Sequence, residues 1–425
     1  MNRKKILWII GSLLPDLSDY LGEKKSGTTW CVKLSKQIRD DNNDLIIACA
    51  TNNKSFDGKG YTINGIKYYL VYSKNDYRSY STEFTNIIFE ILQKENPDII
   101  HIWGTENEYS FSSFRAIEQS KLIERTVISI QGLVSFISNH YCACLPWKTI
   151  YGKSFRDFIK GSSIAKEAYI FKKRGEYEQY VLRHCKYVIG RTDWDYATSL
   201  QVNPQLKYFE CNETLRESFY NQVWCINKMR RHSIFVGSCA YPVKGFHIIL
   251  EALNIVKMEF PDVHLFCPGA NKMSNSIETQ IKYKEYDLYI RELIKKYELV
   301  DNVTFLGYLS EQEMLSNYLS ANVFVSSSTI ENSPNSVAEA MMVGTPVVAS
   351  YVGGLQSMIA HGTEGFLYQG DAPYMLAYYI SKIFNDDNLA LSISNAARER
   401  ANKDHDPIIN YRRLMEIYSF LMRRK

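Results

Sequence analysis

The sequence predicts an α/β protein built from two domains, each a parallel β-sheet covered by helices. In both halves of the chain, short apolar runs typical of buried strands alternate with helical patterns. A parallel sheet with helices on both faces is the stable arrangement for such an alternation. At 425 residues the chain is also too long for one compact core.

The first half contains six predicted strands and two predicted helices. The strands cover residues 6–10, 45–48, 66–71, 97–103, 127–130 and 187–189, and the helical patterns run through Trp30, Leu34 and Ile38 and through residues 84–92. Ligands of parallel sheets bind at the carboxyl ends of the strands. We therefore expect four loops to border a ligand cleft: 26–29, 104–108, 131–132 and 191–193.

The second half repeats the pattern after residues 222–232, which we interpret as an interdomain linker. The predicted strands cover residues 233–236, 263–267, 303–305, 321–325 and 347–349, and the helices cover residues 246–260, 283–297 and 311–319. The tail from Pro407 has the pattern of an amphipathic helix.

Composition excludes several classes of protein. A net charge of +4 gives no argument for nucleic-acid binding. Nine cysteines without C-x-x-C spacing argue against structural zinc and favour a reducing, cytosolic compartment. No apolar run approaches the length of a membrane span, and we interpret residues 6–10 as a first strand instead of a signal peptide.

The stretch from Ser326 to Gly365 carries the clearest chemistry. A polar loop with Glu331 leads into a predicted helix, with Ser333 as N-cap and Pro334 at the first helical position. A helix N-terminus attracts diphosphates and sugar hydroxyls, and Glu339, inside the helix, could accept both hydroxyls of a ribose. Taken alone, the two glutamates fit a solvated loop charge and a surface helix charge equally well.

The same stretch resembles the donor-binding signature of family 4 glycosyltransferases, which are retaining two-domain enzymes of the GT-B type. Two glutamates separated by seven residues (Glu331 and Glu339), a Gly-Thr-Pro-Val-Val strand from Gly344 and a Gly-Gly turn at Gly353 follow that signature in order and spacing. The resemblance implies two Rossmann-like domains facing across a cleft, with a final helix that crosses back to the first domain. On this basis we expect an acceptor domain over residues 1–222, a donor domain over 223–406 and a crossing helix over 407–425.

The resemblance also implies roles in donor binding. Glu339 would bind the ribose, and Lys244, in the turn GSCAYPVKG of residues 237–245, would neutralise the diphosphate. The family usually has arginine where this chain has Ser238, so we expect Arg230 or Arg231 to substitute, or weaker stabilisation of the leaving group. Glu331 would contact the transferred sugar together with the backbone of five residues: Asn332, Ser333, Pro334, Asn335 and Ser336.

Other positions are assigned with less support from the pattern. Gly307 and Tyr308 would border the nucleobase, although a turn glycine and a surface tyrosine fit equally well, and Gly27 would contact the donor from the first domain. On the acceptor side, Gln131 replaces a histidine that the family often carries, and Glu106 is a candidate for binding an acceptor hydroxyl. His101 alternates into the sheet and is interpreted as a core residue.

Asp193 and Asp195 form a D-x-D tripeptide, the metal-diphosphate signal of the other large glycosyltransferase fold. We interpret it as structural, with Asp193 near the cleft. No bound metal or other cofactor is expected beyond the nucleotide-sugar substrate, for which a UDP- or GDP-sugar is favoured.

Residues 148–186 interleave aromatic side chains with ten lysines and arginines against four acids. This composition fits a helix lying on an anionic membrane surface and, equally, a solvated helical face.

The function we predict is metal-independent, retaining sugar transfer from a nucleotide-sugar to a glycan or lipid-linked acceptor in bacterial surface polysaccharide or lipopolysaccharide synthesis. It would take place in the cytoplasm or at the inner face of the membrane. A nucleotide-sugar epimerase or hydrolase on the same fold, and a non-catalytic glycan-binding protein, are the alternatives.

Overall fold

Two β-sheets organise the chain in the computed structural model, which describes residues 3–23, 31–73 and 80–423. In the first sheet, strands β1 to β8 pair in the order β3-β4-β2-β1-β5-β6-β7-β8, and every pairing is parallel except that of β3 with β4. Their bounds are β1 Lys5–Ile10, β2 Asp44–Thr51, β3 Gly60–Ile63, β4 Ile66–Tyr72, β5 Ile99–Trp103, β6 Thr126–Ser129, β7 Tyr187–Gly190 and β8 Lys207–Glu210.

The central strand β1 shows why these sequences form a sheet buried on both faces. Leu7 and Ile9 belong to one apolar cluster, whereas Trp8 belongs to a second cluster, because successive side chains of a strand point to opposite faces. Strands covered on both faces are apolar almost without interruption, as β1 is.

Within the described residues, nine helices lie between β1 and β8 in the sequence: α1 Pro15–Leu21, α2 Val32–Asp40, α3 Thr82–Glu95, α4 Glu108–Gln119, α5 Val134–Ile137, α6 Trp147–Tyr151, α7 Phe155–Lys160, α8 Ile164–His184 and α9 Asp193–Val202.

The second sheet is parallel throughout, in the order β11-β10-β9-β12-β13-β14. Its strands are β9 Ser233–Val236, β10 His264–Cys267, β11 Val303–Phe305, β12 Val323–Ser326, β13 Val347–Ser350 and β14 Phe366–Tyr368. The remaining helices are α10 Phe246–Glu259, α11 Ile277–Gln280, α12 Glu285–Lys296, α13 Glu311–Ser320, α14 Asn335–Val343, α15 Leu355–Met358, α16 Pro373–Asn385, α17 Asp387–Asp404 and α18 Pro407–Met422.

The chain divides into two compact units whose boundaries differ from those predicted. The first unit contains Met1–Phe136, Ile170–Arg216 and His405–Lys425, and the second contains Ile137–Tyr169 and Glu217–Asp404. Residues 137–169, which the sequence placed in the first domain, group with the second because polar contacts anchor them there. The backbone N–H of Glu285 donates to Asp157 at 2.7 Å, and Lys284 pairs with Glu167 at 2.9 Å.

The predicted linker over residues 222–232 is instead a packed part of the second unit. Trp224 is buried, its backbone N–H donates to Val343 O, and its indole Nε1 donates to Ala321 O at 2.7 Å. A segment with these contacts cannot act as a flexible connection. The chain crosses between the units at four points, and the crossing nearest to the predicted linker lies between Arg216 and Glu217.

The final helix α18 packs within the first unit. The hydroxyl of Tyr418 accepts a hydrogen bond from Trp8 Nε1 at 2.9 Å and lies 2.7 Å from His101 Nδ1. His101 is fully buried, and its other ring nitrogen lies 2.7 Å from Ser129 Oγ. Burial lowers the pKa of His101 to about 3, so this side chain is a neutral core residue that joins β5 to α18.

In the described part of the chain, no helix combines the length and apolar character needed to cross a bilayer.

Candidate functional site

A cavity opens at the carboxyl ends of β9 and β12 in the second unit. The two strands are neighbours, with Val236 opposite Val325, so the loops that follow them leave the sheet side by side. The lining residues come from these strand ends, the two loops and the first turn of α14; they include Gly237, Ser238, Lys244, Ser327, Ser328, Glu331 and Ser336. This edge is where ligands of parallel α/β sheets bind.

Lys244 is positioned by a tight backbone contact. It ends the short 3₁₀ turn Pro242–Lys244, and the following Gly245 has φ +64°. A Cβ at Gly245 would lie 1.8 Å from Ser327 O, so only glycine permits the β9 loop to approach the β12 loop this closely. Ser327 Oγ also donates to Lys244 O at 3.1 Å, which joins the two loops again.

Lys244 and Glu331 form an ion pair at the edge of the cavity. Lys244 Nζ donates to Glu331 Oε1 at 2.5 Å, and Ser328 Oγ donates to the same oxygen at 2.7 Å. Burial alone would lower the pKa of Lys244, but the Glu331 carboxylate and Tyr241 outweigh burial and raise its pKa. The ammonium group therefore stays charged at neutral pH.

The Gly353-Gly354 turn holds the Glu331 loop in place. Gly353 has φ +53°, and a Cβ there would lie 1.9 Å from Glu331 O. Gly354 N donates to the same carbonyl at 3.0 Å. The Gly-Gly turn after β13 thus packs directly against the Glu331 loop and supports the backbone of Glu331.

Helix α14 begins one residue later than predicted. Its N-cap is Pro334, not Ser333, and none of the described side chains caps it. The hydroxyl of Ser333 is buried without a hydrogen-bond partner among the described residues, Asn332 is buried, and Asn335 is the first helical residue. Glu339 is 5% exposed, so it is not a surface helix charge. The end of α14 that carries the positive dipole therefore reaches the cavity through Ser336.

Neither arginine suggested as a substitute at Ser238 lines the cavity. Both precede β9, at the opposite end of the strand from the site. Arg231 forms an exposed ion pair with Asp387, and the guanidinium of Arg230 lies 4.0 Å from the centre of the Phe266 ring. Ser238 itself lines the cavity and accepts from Ala240 N at 3.2 Å. Within this cavity Lys244 is the cation that the structure supplies.

The two residues predicted to border the nucleobase differ in their surroundings. Gly307 exchanges both backbone hydrogen bonds with Gly269, so its N–H group is already used, and its carbonyl oxygen keeps a second lone pair for a contact with a base. Tyr308 is 95% exposed and has the environment of a surface tyrosine. Gly27 lies outside the described residues.

The first unit has its own polar cluster at the carboxyl ends of β5 to β7. Gln131 Nε2 donates to Glu213 Oε1 at 2.6 Å, and Arg191 pairs with Glu213 at 2.8 Å. Arg191 and Glu213 also line a small cavity whose other walls are largely apolar, among them Trp103. The amide of Gln131 is therefore committed to Glu213, a residue for which the sequence contained no recognisable signal.

Glu106 lies beside a second carboxylate that the sequence did not indicate. Glu106 is half-buried and accepts from Thr105 N at 2.9 Å, and burial raises its pKa. Glu178, on α8, is fully buried and accepts from the backbone N–H groups of Val134 and Ser135 at 2.9 and 3.0 Å. Burial raises the pKa of Glu178 to about 7, and the Glu106 charge adds to this effect.

The D-x-D tripeptide starts helix α9. Asp195 is fully buried and completes a capping box with Thr192, and its other oxygen accepts from Arg191 N at 2.9 Å. Asp193 is the first residue of the helix. These contacts explain the local spacing by helix capping. Over residues 3–23, 31–73 and 80–423, no group of three or more histidine, cysteine or acidic side chains has an arrangement that could hold a metal ion.

Comparison with solved structures identifies the class of fold. The chain superposes on sucrose-phosphate synthase from Thermosynechococcus elongatus with a TM-score of 0.68 and 16% identity, covering 99% of this chain and 100% of that one. Anabaena HepE, solved in complex with UDP-glucose, gives a TM-score of 0.65 at 15% identity, with 98% and 99% covered. The protein thus has the GT-B fold, with two Rossmann-like parallel sheets, as predicted.

Sequence comparison adds a family match that lies in the second unit. Residues 218–400 match the family model described as glycosyl transferases group 1. D-inositol 3-phosphate glycosyltransferase from Corynebacterium urealyticum is 28% identical over 162 residues, which are 37% of this chain and 36% of that protein. Mannosylfructose-phosphate synthase from Agrobacterium fabrum is 25% identical over 245 residues, 54% of this chain and 52% of that protein. The match thus spans between about a third and a half of these relatives.

Proposed function

We propose that this protein is a glycosyltransferase of family 4 that moves a sugar from a nucleotide-sugar to a glycan or lipid-linked acceptor with retention of configuration. The observation that carries the proposal is the charged Lys244, paired with Glu331 at the N-terminal end of α14, in one cavity at the carboxyl edge of the second sheet. A cation and a helix N-terminus are suited to a diphosphate, and a carboxylate is suited to sugar hydroxyls.

In the proposed mechanism the Lys244–Glu331 pair exchanges partners when the donor binds. The diphosphate competes with Glu331 for the Lys244 ammonium, and the Glu331 carboxylate becomes available for hydroxyls of the sugar. Lys244 and the N–H groups of α14 then stabilise the charge that develops on the leaving nucleotide. Glu339, held four residues into the helix, accepts hydrogen bonds from the ribose. The backbone of residues 332–336 borders the sugar.

The donor we propose is a UDP- or GDP-sugar. A UDP-sugar is the first choice for testing because HepE, a structural neighbour, was solved with UDP-glucose. The reaction is proposed to require no divalent cation. The commitment of Asp195 to helix capping supports this, since the tripeptide already has a structural role.

The acceptor is proposed to bind the first unit at the polar cluster of Glu106, Gln131 and Asp193. The adjacent small cavity beside Arg191 and Glu213 would accept a single polar group of the glycan, such as a hydroxyl, beside the Glu213 carboxylate. We propose a role in bacterial surface polysaccharide or lipopolysaccharide synthesis, in the cytoplasm at the inner face of the membrane. All nine cysteines are free, which supports a reducing compartment.

A thermal-shift panel of UDP-, GDP- and ADP-sugars, with and without EDTA, tests the donor site first. Stabilisation by one nucleotide series that persists in EDTA is the expected result, whereas dependence on added metal would contradict the metal-independent mechanism. Nucleotide release is then measured with and without a glycan extract as acceptor, and the anomeric configuration of the product is determined by NMR.

The same assays separate the alternatives. Release of nucleotide that needs the acceptor, with a retained anomeric configuration in the product, is the expected outcome. Turnover of the donor without acceptor would instead identify an epimerase or hydrolase. Binding of glycan without any turnover would identify a binding protein.

A further inference from the structure

An unusual surface lies on the segment that precedes α8. Five large apolar side chains within residues 147–159 are mostly exposed: Trp147 (74%), Tyr151 (61%), Phe155 (62%), Phe158 (75%) and Ile159 (64%). Trp147 and Tyr151 are four residues apart on α6, and their rings stack with centroids 5.3 Å apart. On α7 the apolar residues have the spacing i, i+3, i+4, which places them on one helical face. Helices normally turn such a face toward a core.

Basic side chains surround these apolar residues. Lys148, Lys153, Lys160 and Lys166 are exposed. The one acid within residues 147–166, Asp157, is buried and accepts from Glu285 N, and Glu167, the next acid along the chain, pairs with Lys284. We call the five apolar residues and these four lysines the 147–166 surface. Its outward charge is therefore positive.

The 147–166 surface is held rigidly on the second unit. A Cβ at Gly152, between α6 and α7, would lie 2.4 Å from Glu285 Oε1, so this connection packs directly on the start of α12. The chain that leads into this segment passes beside the donor loop, where Thr329 Oγ1 donates to His140 O at 3.0 Å. A segment that is anchored on one side and exposes aromatic rings on the other is typical of an interaction surface.

We infer that the 147–166 surface docks on an anionic lipid membrane. Tryptophan and tyrosine prefer the membrane–water interface, and lysines beside them are attracted to anionic headgroups. A second copy of the chain is a poorer occupant, because a symmetric contact would bring like-charged lysines together. The inference refines the predicted membrane segment, since aromatic residues of α8 beyond residue 170 pack inside the first unit; Phe111, for example, contacts the ring of Tyr177.

Docking is linked to the proposed function in one respect: a lipid-linked acceptor would lie in the membrane on which the protein docks. Vesicle flotation of the full chain without substrates tests docking alone, and the donor thermal shift reports separately on the sugar-nucleotide site. We expect flotation with vesicles of phosphatidylcholine mixed with phosphatidylglycerol, and little with phosphatidylcholine alone. Failure of the wild-type chain to float with anionic vesicles would overturn the inference.

Two pairs of variants identify the surface. Trp147→Ala with Phe158→Ala should reduce binding about tenfold or more, whereas Tyr374→Ala with Tyr378→Ala, exposed tyrosines on α16, should leave it unchanged. The double variant Lys153→Glu, Lys160→Glu should abolish binding to anionic vesicles. Its control, Lys228→Glu with Lys403→Glu, produces the same net charge at other exposed positions.

Equal loss of binding in a control and its test pair would mean that general charge or hydrophobicity drives flotation and would contradict the assignment. Sedimentation of the wild-type chain as a dimer that the Trp147→Ala, Phe158→Ala variant dissociates would show that a second copy covers the surface, and would also overturn the inference.

Discussion

The Lys244–Glu331 ion pair is the residue contact on which the proposed donor site depends most. Both partners are largely buried, with side-chain exposures of 25% and 13%, so the charges interact more strongly than an exposed pair would. Removing one partner of such a pair leaves the other charge unsatisfied. Substitution at Glu331 should therefore affect the bare nucleotide and the sugar nucleotide in opposite directions.

Glu331→Gln is expected to tighten binding of UDP alone and to slow sugar transfer. The amide keeps the shape of the side chain but no longer competes with the diphosphate for Lys244, so the Kd for UDP should fall by about threefold to tenfold. Transfer should fall by about tenfold or more in kcat/KM, because the sugar loses a charged acceptor. Calorimetry and steady-state kinetics give the two values. Weakened binding of UDP in this variant would contradict the proposed exchange of partners.

Ser238→Arg tests whether the missing arginine limits the site. A second cation at the edge of the cavity should lower the Kd for UDP by about fivefold to tenfold, as expected for one added charge-assisted contact. Ser238→Gln is the control, since it adds length without charge. If the glutamine variant gains as much affinity as the arginine variant, charge is not the missing element.

Glu178 should make stability depend on pH. The pKa of Glu178 is about 7 in the folded protein and close to 4.5 in the unfolded chain. Between these two pH values the native state therefore holds a proton that the unfolded chain has released. Stability should therefore fall as pH rises through this window, by a total of about 3 kcal/mol for the shift.

Melting curves of the wild type and Glu178→Gln between pH 4.5 and 7.5 measure this contribution. The variant should lose the decline, whereas Glu176→Gln, an exposed position on the same helix, should retain it. The same decline in Glu178→Gln would assign the pH dependence to another group.

Among the elements, the loops of the donor site show what the sequence could and could not predict. The Gly-Gly turn was recognisable as a motif, but its role was not, because the contact of Gly353 with Glu331 O joins residues from two different strand-to-helix connections. Glu213 and Glu178 gave no signal for the same reason. Their partners lie far away in the sequence: Gln131 for Glu213, and Ser135 for Glu178.

Gly353→Ala should abolish donor binding, whereas Gly362→Ala should not. Both glycines have positive φ, +53° and +80°, so alanine adds similar backbone strain of about 1 kcal/mol at each. At Gly362 nothing lies within 4 Å of the new Cβ, but at Gly353 it would collide with Glu331 O. Thermal shift with UDP and melting temperature distinguish the two effects. Equal behaviour of the two variants would remove the packing argument for the Glu331 loop.

At the scale of the whole molecule, the alternation of strands and helices was sufficient to predict two parallel sheets, and the comparisons with solved structures confirm the fold. The observed bounds of β9 and β11 are the predicted ones; β9 is buried throughout, whereas in β11, an edge strand, only Val303 is buried. The sequence analysis missed β3, β8 and β14, which are all edge strands; the burial of β3 and β8 is partial, whereas β14 is buried but only three residues long. Unit boundaries were wrong around residues 137–169 because polar anchors such as Asp157 are visible only in three dimensions.

The division into two units predicts which segments of the chain are protected from amide hydrogen exchange when the donor nucleotide binds. If Lys244, Glu331 and Glu339 form the nucleotide site, UDP should slow amide hydrogen exchange in peptides covering residues 237–245 and 327–343, all of them in the second unit. Bound ligand suppresses local opening of the segments that it contacts. Peptides over residues 104–109 and 129–135 of the first unit should exchange at the same rate with and without UDP, because the proposed acceptor cluster does not contact the nucleotide.

Two lysine variants provide the controls. Lys244→Ala should remove the protection at the same UDP concentration, and Lys228→Ala, at an exposed lysine of the second unit, should keep it. Protection confined to the first unit would place the nucleotide in that unit and overturn the assignment of the two sites together.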